Sequence, residues 1–427
     1  MERTLIADLK QKTGEAVLIQ GWVSVRRDQG KMVFFDFRDR SGAVQGVVLP
    51  KSEAIETAKE VRNEYVVSVE GKVNARPEKN IKADVQNGDI ELEITKIEII
   101  SKAEIPFELG SEVNLDTYLD HLPFTLRSEK AKNIFKVQEA IIAGFREGMK
   151  AQDFTEFQAP ALVGGDAEGG AAAFKVDYYY DQTAYLATSP QLYKQIMVGV
   201  FERAFTTPKI FRGEKHSTTR HLSEYSSLDF EMGFIKDHTE VMAVLEKTMR
   251  LIVKKTEIEV AMPEKIPVLK LREVQKILGV GEEPDLEPEH ERAICEWALK
   301  EHNSDFVFVT HYPVSKRPFY TYEDENDKGF TKSFDLLFRG LEVTTGGQRI
   351  HNYDELIERA KAKGLDPDKF TYYLEAFKVG MPPHGGSATG LERLTARLLN
   401  LPNVKEATLF PRDLNRIDTL LSTDKKE

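Results

Sequence analysis

Residues 1–103 contain short runs rich in β-branched and aromatic residues, separated by turn formers such as DQGK and DRSG. Such runs between turns predict strands, and five can be distinguished: VLIQGWVSV, KMVFFDFRDR, GAVQGVVLP, EYVVSVEGKVNA and DIELEITKIEII. A helical pattern, KSEAIETAKEVR, lies between the third and fourth runs. Because a five-stranded oligonucleotide-binding (OB) barrel commonly carries a helix at this place, the pattern predicts an OB domain.

The remainder of the chain has a different pattern. Residues 104–126 show little periodicity and predict a hinge, and the next segment has apolar residues at helical spacing: Ile134, Val137, Ile141, Ile142 and Phe145. Strand-like segments follow at TEFQAP, AYLATS, KIFRGE, SSLDFEMGFI and SFDLLFRGLEVTTGGQRIH. Mostly helical patterns near 241–310 predict a helical insertion. Residues 127–427 are therefore predicted to form an α+β domain on a mostly antiparallel sheet.

Composition narrows the class of protein. The 427 residues suffice for a large domain and a smaller one, and the amino terminus lacks the apolar core of a signal peptide. With no apolar run of membrane-spanning length, we expect a cytoplasmic protein without membrane contact. The net charge of -11 argues against indiscriminate attraction to nucleic acid. The single cysteine, Cys295, excludes an internal disulfide and a thiolate metal cluster, so we interpret it as a packing residue.

Opposed charges crowd the segment FRGEKHSTTRHLSE. In a strand, Arg212 and Glu214 project to the same side, and Arg220 and His221 return after a polar turn. Arginine suits phosphate, and Glu214 could accept a hydrogen bond from a base amine. No G-x-x-x-x-G-K-[ST] motif occurs, so a nucleotide would be held by side chains. The alternative is a solvated cross-strand salt bridge.

A later strand segment adds further candidate ligands. It supplies Asp335, Glu342, Thr345 and Arg349, and Glu342 with the Thr345 hydroxyl forms a plausible hard-oxygen Mg²⁺ site beside bound phosphates. Arg393 lies at the start of the helix predicted after GSATG. Taken singly, Glu342 could be an exposed strand carboxylate and Arg393 a solvated helix residue.

Together these segments resemble class II aminoacyl-tRNA synthetases, and the aspartyl enzymes in particular, over essentially the whole chain. FTEFQAP, which ends in Pro160, resembles the first class motif, FRGEKHSTTRHLSE the second and GSATGLERL the third. The first motif builds the dimer interface in the family, so the resemblance implies a homodimer. The chain departs from the family's common GGTELF and GFGLG, with GGAAAF and GSATG at these places.

The resemblance implies roles for the charged residues. Arg212 and Arg393 would bind the ATP phosphates as the catalytic groups, and Glu214 and His221 would position the adenine and ATP. Arg220 and Leu222 belong to the same ATP-binding motif. Glu342 and Thr345 match the family's magnesium positions, so Mg²⁺ is the implied cofactor.

The amino acid is suggested by SPQLYKQ, which resembles the aspartyl signature. By this resemblance Lys194 and Arg349 approach the side-chain carboxylate of L-aspartate. Asparaginyl enzymes lack the lysine and usually carry acidic residues where this chain has Ile350 and His351. Other positions that match contacts to the amino acid, its ammonium group included, are Glu168, Ser189 and Gln191. Without the resemblance, a helix-surface lysine would be favoured for Lys194.

The barrel suggests tRNA(Asp) as the partner. Arg27, Phe34 and Gln45 match positions that contact the anticodon in aspartyl enzymes, in keeping with the aromatic platforms of OB folds. Barrel packing for Phe34 and a solvent-facing role for Gln45 are the alternatives. The chain resembles the compact archaeal-type form, which includes enzymes that charge tRNA(Asn) as well. A small Ser24, where strict relatives carry a bulky aromatic, favours relaxed specificity.

The sequence therefore predicts an aspartate–tRNA ligase that consumes ATP and releases AMP. Two alternatives belong to other classes: a synthetase-like enzyme that acts without tRNA, and a non-catalytic RNA-binding paralogue. The predicted barrel speaks against the first alternative, and the presence of Arg212, Glu342 and Arg393 speaks against the second.

Overall fold

A computed structural model describes residues 1–165, 172–215 and 218–421. The chain divides into two units, Met1–Glu112 and Val113–Glu427. The division lies within the segment 104–126, which the sequence analysis assigns to a hinge. Within the described residues, every helix is too short or too polar to cross a lipid bilayer.

The first unit is a closed barrel with strand order β1-β2-β3-β5-β4. Its strands are β1 (Ala16–Gln29), β2 (Met32–Arg38), β3 (Ala43–Val48), β4 (Val66–Ala75) and β5 (Ile90–Ser101). Helix α1 (Ile55–Glu60) connects β3 to β4, and 3₁₀ turns occur at Ile6–Lys12 and Glu78–Asn80. The predicted five-stranded OB barrel and the place of its helix are confirmed.

Alternation along the strands separates the barrel core from its surface. In β2, the side chains of Val33, Phe35 and Phe37 are buried, and the rings of Phe35 and Phe37 stack with centroids 5.4 Å apart. Phe34 and Asp36 have the opposite parity and are only partly buried. The barrel interior is therefore filled without Phe34.

The second unit is built on a nine-stranded mixed sheet in the order β13-β14-β15-β16-β17-β12-β10-β6, with β11 paired to β12. The strands are β6 (Thr155–Glu156), β10 (Arg203–Thr206), β11 (Lys209–Phe211), β12 (Glu224–Gly233), β13 (Val268–Lys270), β14 (Phe306–Thr310), β15 (Ser333–Phe338), β16 (Leu341–Arg349) and β17 (His384–Gly390). Only the outer pairs β6–β10 and β13–β14 are parallel within the described sheet. A separate small sheet has β7 (Leu162–Val163), β8 (Lys175–Tyr178) and β9 (Gln182–Leu186). The predicted α+β class with a mostly antiparallel sheet is confirmed.

Within the described part of this unit, ten helices accompany these sheets: α2 (Leu115–Asp120), α3 (Leu122–Thr125), α4 (Glu129–Lys150), α5 (Gln191–Phe201), α6 (His238–Thr256), α7 (Leu271–Leu278), α8 (Pro288–His302), α9 (Tyr353–Ala362), α10 (Thr371–Lys378) and α11 (Leu391–Leu398). The same residues include 3₁₀ turns at Tyr179–Asp181, Pro367–Phe370 and Val404–Ala407. The long helix α4 begins after Ser128, whose side chain accepts from the Ala131 amide. Gly144 lets α4 approach α6 closely, because a Cβ there would lie 2.9 Å from the Ile252 Cα.

The segment 241–310 contains most of α6 together with α7 and α8, in agreement with its mostly helical pattern. It also contains β13 and β14, which extend the main sheet and were not predicted. All five residues of β14, FVFVT, are buried, as is typical of a strand covered on both faces. Cys295 lies on the buried face of α8, as predicted, and burial raises the pKa of its thiol to about 12.

Candidate active site

The antiparallel hairpin of β11 and β12 forms one wall of the site. Phe211 pairs with Glu224, so the chain reverses between these residues as predicted. Strand β11 ends at Phe211, however, and the prediction that Arg212 and Glu214 lie within a strand is wrong. The loop nevertheless brings the two side chains together, with Arg212 Nη1 and Glu214 Oε1 3.6 Å apart.

A cavity of about 200 Å³ opens beside this hairpin. The hairpin residues that line it are Arg212, Glu214, Arg220, His221 and Leu222. From the opposite side, β16 contributes Glu342 and Thr345, and α11 contributes Arg393. All the residues predicted to contact ATP therefore share one cavity.

Arg220 has a partner that the sequence analysis missed. Its Nη2 donates to both carboxylate oxygens of Glu291, at 2.8 and 2.7 Å. Glu291 lies on α8 and is 7% exposed. The neighbouring His221 shares a hydrogen bond of 2.6 Å between its Nδ1 and Thr218 Oγ1.

Glu342 and Thr345 stand beside a further acidic group. Asp335 on β15 pairs with Thr345 across the ladder and accepts a hydrogen bond from its hydroxyl. Burial raises the pKa of Glu342, and the negative charge of the neighbouring Asp335 carboxylate raises it further. Arg393 offsets part of this charge, because its Nη1 donates to the Glu342 carbonyl at 3.2 Å and to the Glu342 carboxylate at 3.4 Å.

A second missed residue, Arg317, completes this cluster. Its Nη2 donates to Asp335 at 2.8 Å and its Nη1 to the Thr345 hydroxyl at 3.0 Å. The guanidinium lies 4.0 Å from the centre of the Tyr312 ring. Arg317 lies in the loop between β14 and β15, which carries no motif, so no pattern near it in the sequence indicates this contact.

The donors fit a phosphate-linked Mg²⁺ rather than a site made by protein alone. The described residues contain no group of three or more His, Cys, Asp or Glu placed to hold a metal ion. Mg²⁺ usually takes one or two carboxylates and completes its shell with water and phosphate oxygens. Glu342 and Thr345 face a common cavity, so a carboxylate and a hydroxyl oxygen are both directed to the space where phosphate-bound Mg²⁺ would lie.

A neighbouring cavity of about 250 Å³ contains the predicted amino acid ligands. It is lined by Ser189, Gln191, Lys194 and Arg349, which the sequence places in two distant segments. Arg212, Glu342 and Thr345 line both cavities, so the two spaces adjoin. Glu168, the remaining predicted ligand, lies outside the described residues.

Lys194 is 1% exposed on the inner side of α5, which excludes a helix-surface lysine. Its Nζ donates to Asp229 at 2.9 Å and to the Ser387 carbonyl at 3.1 Å. Glu231 Oε2 lies 3.4 Å from the same nitrogen. A fixed, desolvated ammonium group therefore lies against β12 and β17 and lines the cavity.

Arg349 supplies the second fixed cation. Its Nε donates to Glu231 at 2.9 Å, and its Nη2 donates to the Gly386 carbonyl at 3.0 Å and to Gln191 at 3.4 Å. Burial raises the pKa of Glu231, but the charges of Arg349 and Lys194 outweigh burial and lower it overall. Nη1 of Arg349 makes no hydrogen bond to another described residue, so it remains available to a ligand carboxylate.

The predicted anticodon residues occupy one outer face of the barrel. Arg27 on β1 pairs with Phe34 on β2, and Asp36 pairs with Gln45 on β3, so all four side chains share that face. Phe34 is partly buried and points away from the core, which excludes barrel packing as its role. Arg27 is held by Asp36, with hydrogen bonds of 2.8 and 2.9 Å.

Comparison with known proteins agrees with this geometry. The family described as tRNA synthetases class II (D, K and N) matches residues 114–414, and the OB-fold nucleic acid binding domain matches residues 17–100. An aspartate–tRNA(Asp/Asn) ligase of Thermus thermophilus is 46% identical over 97% of this chain and 99% of its own length. The chain belongs to the class II tRNA synthetases of the D, K and N group.

Other synthetases give the same assignment. An aspartate–tRNA(Asp) ligase of Thermococcus kodakarensis is 36% identical over 96% of this chain and 97% of its own length. A solved asparaginyl-tRNA synthetase of Pyrococcus horikoshii, complexed with asparaginyl-adenylate, has a TM-score of 0.89 at 32% identity. The match covers 98% of this chain and 99% of that structure. The resemblance proposed from the three motifs is confirmed.

Several residues of this synthetase's site escaped the sequence analysis. Asp229 and Glu231 could have been predicted from the sequence. Two carboxylates two residues apart in a strand lie on the same face, and when buried they need charged partners. Glu291 and Arg317 could not have been predicted in this way, since each reaches the site from a segment far away in sequence.

Proposed function

We propose that this synthetase activates L-aspartate with ATP and transfers the aspartyl group to the 3′ end of tRNA(Asp). The observation that supports the proposal best is the pair Lys194 and Arg349, two fixed cations in a cavity that adjoins the candidate ATP cavity. Aspartate differs from asparagine by a second carboxylate, and a buried carboxylate requires charged partners.

The first step forms aspartyl-adenylate. An oxygen of the substrate α-carboxylate attacks the α-phosphorus of ATP in line, and pyrophosphate leaves. Arg212 and Arg393 neutralise the phosphates, and Glu214 and His221 hold the adenine end, next to Leu222 and Arg220. Glu342 and Thr345 would hold Mg²⁺, which supplies further neutralisation of the phosphate charge.

In the second step the terminal ribose hydroxyl of tRNA attacks the activated carbonyl carbon, and AMP leaves. The reaction requires no protein nucleophile, so catalysis rests on positioning and electrostatics. Loss of one phosphate arginine should cost about 3–4 kcal/mol of transition-state stabilisation, by analogy with a single oxyanion donor. Ser189, Gln191 and Glu168 complete the proposed amino acid site.

For the tRNA, we propose that Phe34 stacks on an anticodon base while Arg27 and Gln45 contact its neighbours. The anticodons for aspartate and asparagine share their first two bases and differ at the third. Gln45, assigned to the shared central uridine, cannot distinguish them. Ser24 is small, and its hydroxyl is engaged by Arg38 Nη1 at 3.1 Å, so it offers no bulk against the wrong third base.

We therefore propose that tRNA(Asn) is charged as well as tRNA(Asp). Charging of the two transcripts at identical salt tests this, because phosphate contacts make tRNA affinity depend on salt. Comparable kcat/KM values support relaxed specificity. A preference of about a thousandfold for tRNA(Asp), equivalent to roughly 4 kcal/mol, would contradict it.

We also propose that the protein is a cytoplasmic homodimer. Support comes from the resemblance of the segment ending at Pro160 to the interface motif, and Pro160 is exposed in the single chain. Two identical surfaces would form an isologous pair. Sedimentation velocity at micromolar concentration checks this proposal, and a monomer alone would contradict it.

A further inference from the structure

Glu291 connects two walls of the candidate ATP cavity without lining it. Its carboxylate accepts from Arg220 Nη2 on the β11–β12 side, and its Oε2 also accepts from the Glu342 amide on β16 at 3.1 Å. It projects from α8, a helix that contains none of the three motifs. One buried carboxylate thus holds two residues that come from distant segments.

The contact to Glu342 accompanies an irregularity in the sheet. Leu336 pairs with Thr344 and Leu337 with Glu342, so Val343 is an extra residue on β16. Such a bulge re-aims the side chains beside it. The amide of Glu342 is held by Glu291 at this place, which stabilises the conformation that turns the Glu342 side chain to the cavity.

The contact to Arg220 restrains a long side chain on the loop between two strands. An unrestrained arginine would lose considerable rotamer freedom on binding a ligand. Only Nη2 of Arg220 bonds to Glu291, and Nε and Nη1 make no hydrogen bond to another described residue. The guanidinium is therefore held at one nitrogen and keeps donors for a phosphate.

We propose that Glu291 is a positioning residue for ATP, which holds Arg220 and Glu342 in their binding arrangement before the nucleotide arrives. Glu291 itself touches neither ATP nor aspartate. The proposal rests on the proposed function in taking ATP as the ligand. Preorganisation of this kind raises affinity by reducing the entropy lost on binding.

The test compares Glu291→Gln with Glu289→Gln. Glu289 lies on the same helix and its side chain is 75% exposed, so it serves as the matched control. Calorimetry measures the ATP dissociation constant without aspartate, and pyrophosphate exchange measures both KM values. We expect Glu291→Gln to weaken ATP binding at least about tenfold and to leave the aspartate KM within about twofold, with Glu289→Gln unchanged in both.

A second comparison separates positioning from general damage to the fold. Because Glu291 acts partly through Arg220, Glu291→Gln introduced into an Arg220→Met background should weaken ATP binding by clearly less than the roughly tenfold expected for Glu291→Gln alone, with the remainder due to its contact to the Glu342 amide. Unchanged ATP affinity in Glu291→Gln, or equal losses for ATP and aspartate, would overturn the proposal. Absence of exchange in the unmodified protein would instead refute the proposed function, and the calorimetric comparison would still decide the role of Glu291.

Discussion

Replacement of Lys194 by methionine tests the proposed aspartate site and the surrounding charge network together. The lysine is fully buried with Asp229 and Glu231, which are both 0% exposed. Removing one partner of a buried ion pair leaves an uncompensated charge and costs about 3–5 kcal/mol. We therefore expect Lys194→Met to lose aspartate activation and to lower the free energy of unfolding by that amount.

A companion variant separates these two effects. Lys194→Met combined with Asp229→Asn removes both charges and keeps an acceptor for the Ser227 hydroxyl, which bonds to Asp229. Stability should recover, because a neutralised pair leaves no unpaired buried charge. Aspartate activation should remain lost, since the substrate carboxylate still lacks its ammonium partner.

The assays are denaturant unfolding, calorimetry of ATP binding and aspartate-dependent pyrophosphate exchange. ATP affinity should stay within about threefold in the stable double variant, because the candidate ATP cavity keeps its arginines. Near-normal aspartate exchange in either variant would refute the assignment of Lys194. Equal losses of ATP and aspartate binding in the double variant would show that the pair is only structural.

Two further predictions concern pH and tRNA. Burial raises the pKa of Glu392 to about 7, although both oxygens accept from the Ser226 amide at 3.0 Å. The protonated Glu392 therefore contributes fully to the free energy of unfolding below the unfolded pKa, and this contribution, about 3 kcal/mol, is lost as pH rises to about 7. Glu392→Gln should remove this loss when the free energy of unfolding is measured from about pH 4.5 to 7.5. A pH profile of Glu392→Gln identical to that of the unmodified protein would contradict the prediction. Phe34→Ala should raise the KM for tRNA about 10–100-fold through lost stacking, with pyrophosphate exchange unaffected. Ile100→Ala, at an exposed position of β5, is the control, and equal effects of the two variants on the tRNA KM would contradict the assigned face.

Much of the fold was predictable because local patterns agree with tertiary structure. The barrel strands alternate between core and surface, so Phe35 and Phe37 point inward and Phe34 outward. The apolar spacing of α4 likewise identified Ile141 and Phe145 as buried. The prediction of a strand through Arg212 was wrong, because opposed charges in a loop that faces a cavity resemble the polar face of a strand.

The site was predictable where a motif brought its residues together. Arg212, Glu214 and Arg393 were found through their motifs, and they do share one cavity. Hydrogen-bonded partners such as Glu291 and Arg317 were missed, since pairing across distant segments leaves no periodic signal in one sequence. The strand β14 was missed for a related reason: a short apolar run is ambiguous between helix and strand.

The most direct test of the account is amino acid-dependent exchange of pyrophosphate into ATP by the purified protein. It requires no tRNA, and it compares aspartate, asparagine and lysine at equal concentration. With Lys194 and Arg349 as carboxylate partners, aspartate alone should support rapid exchange. Exchange driven equally by asparagine, or no exchange with aspartate, would contradict the account.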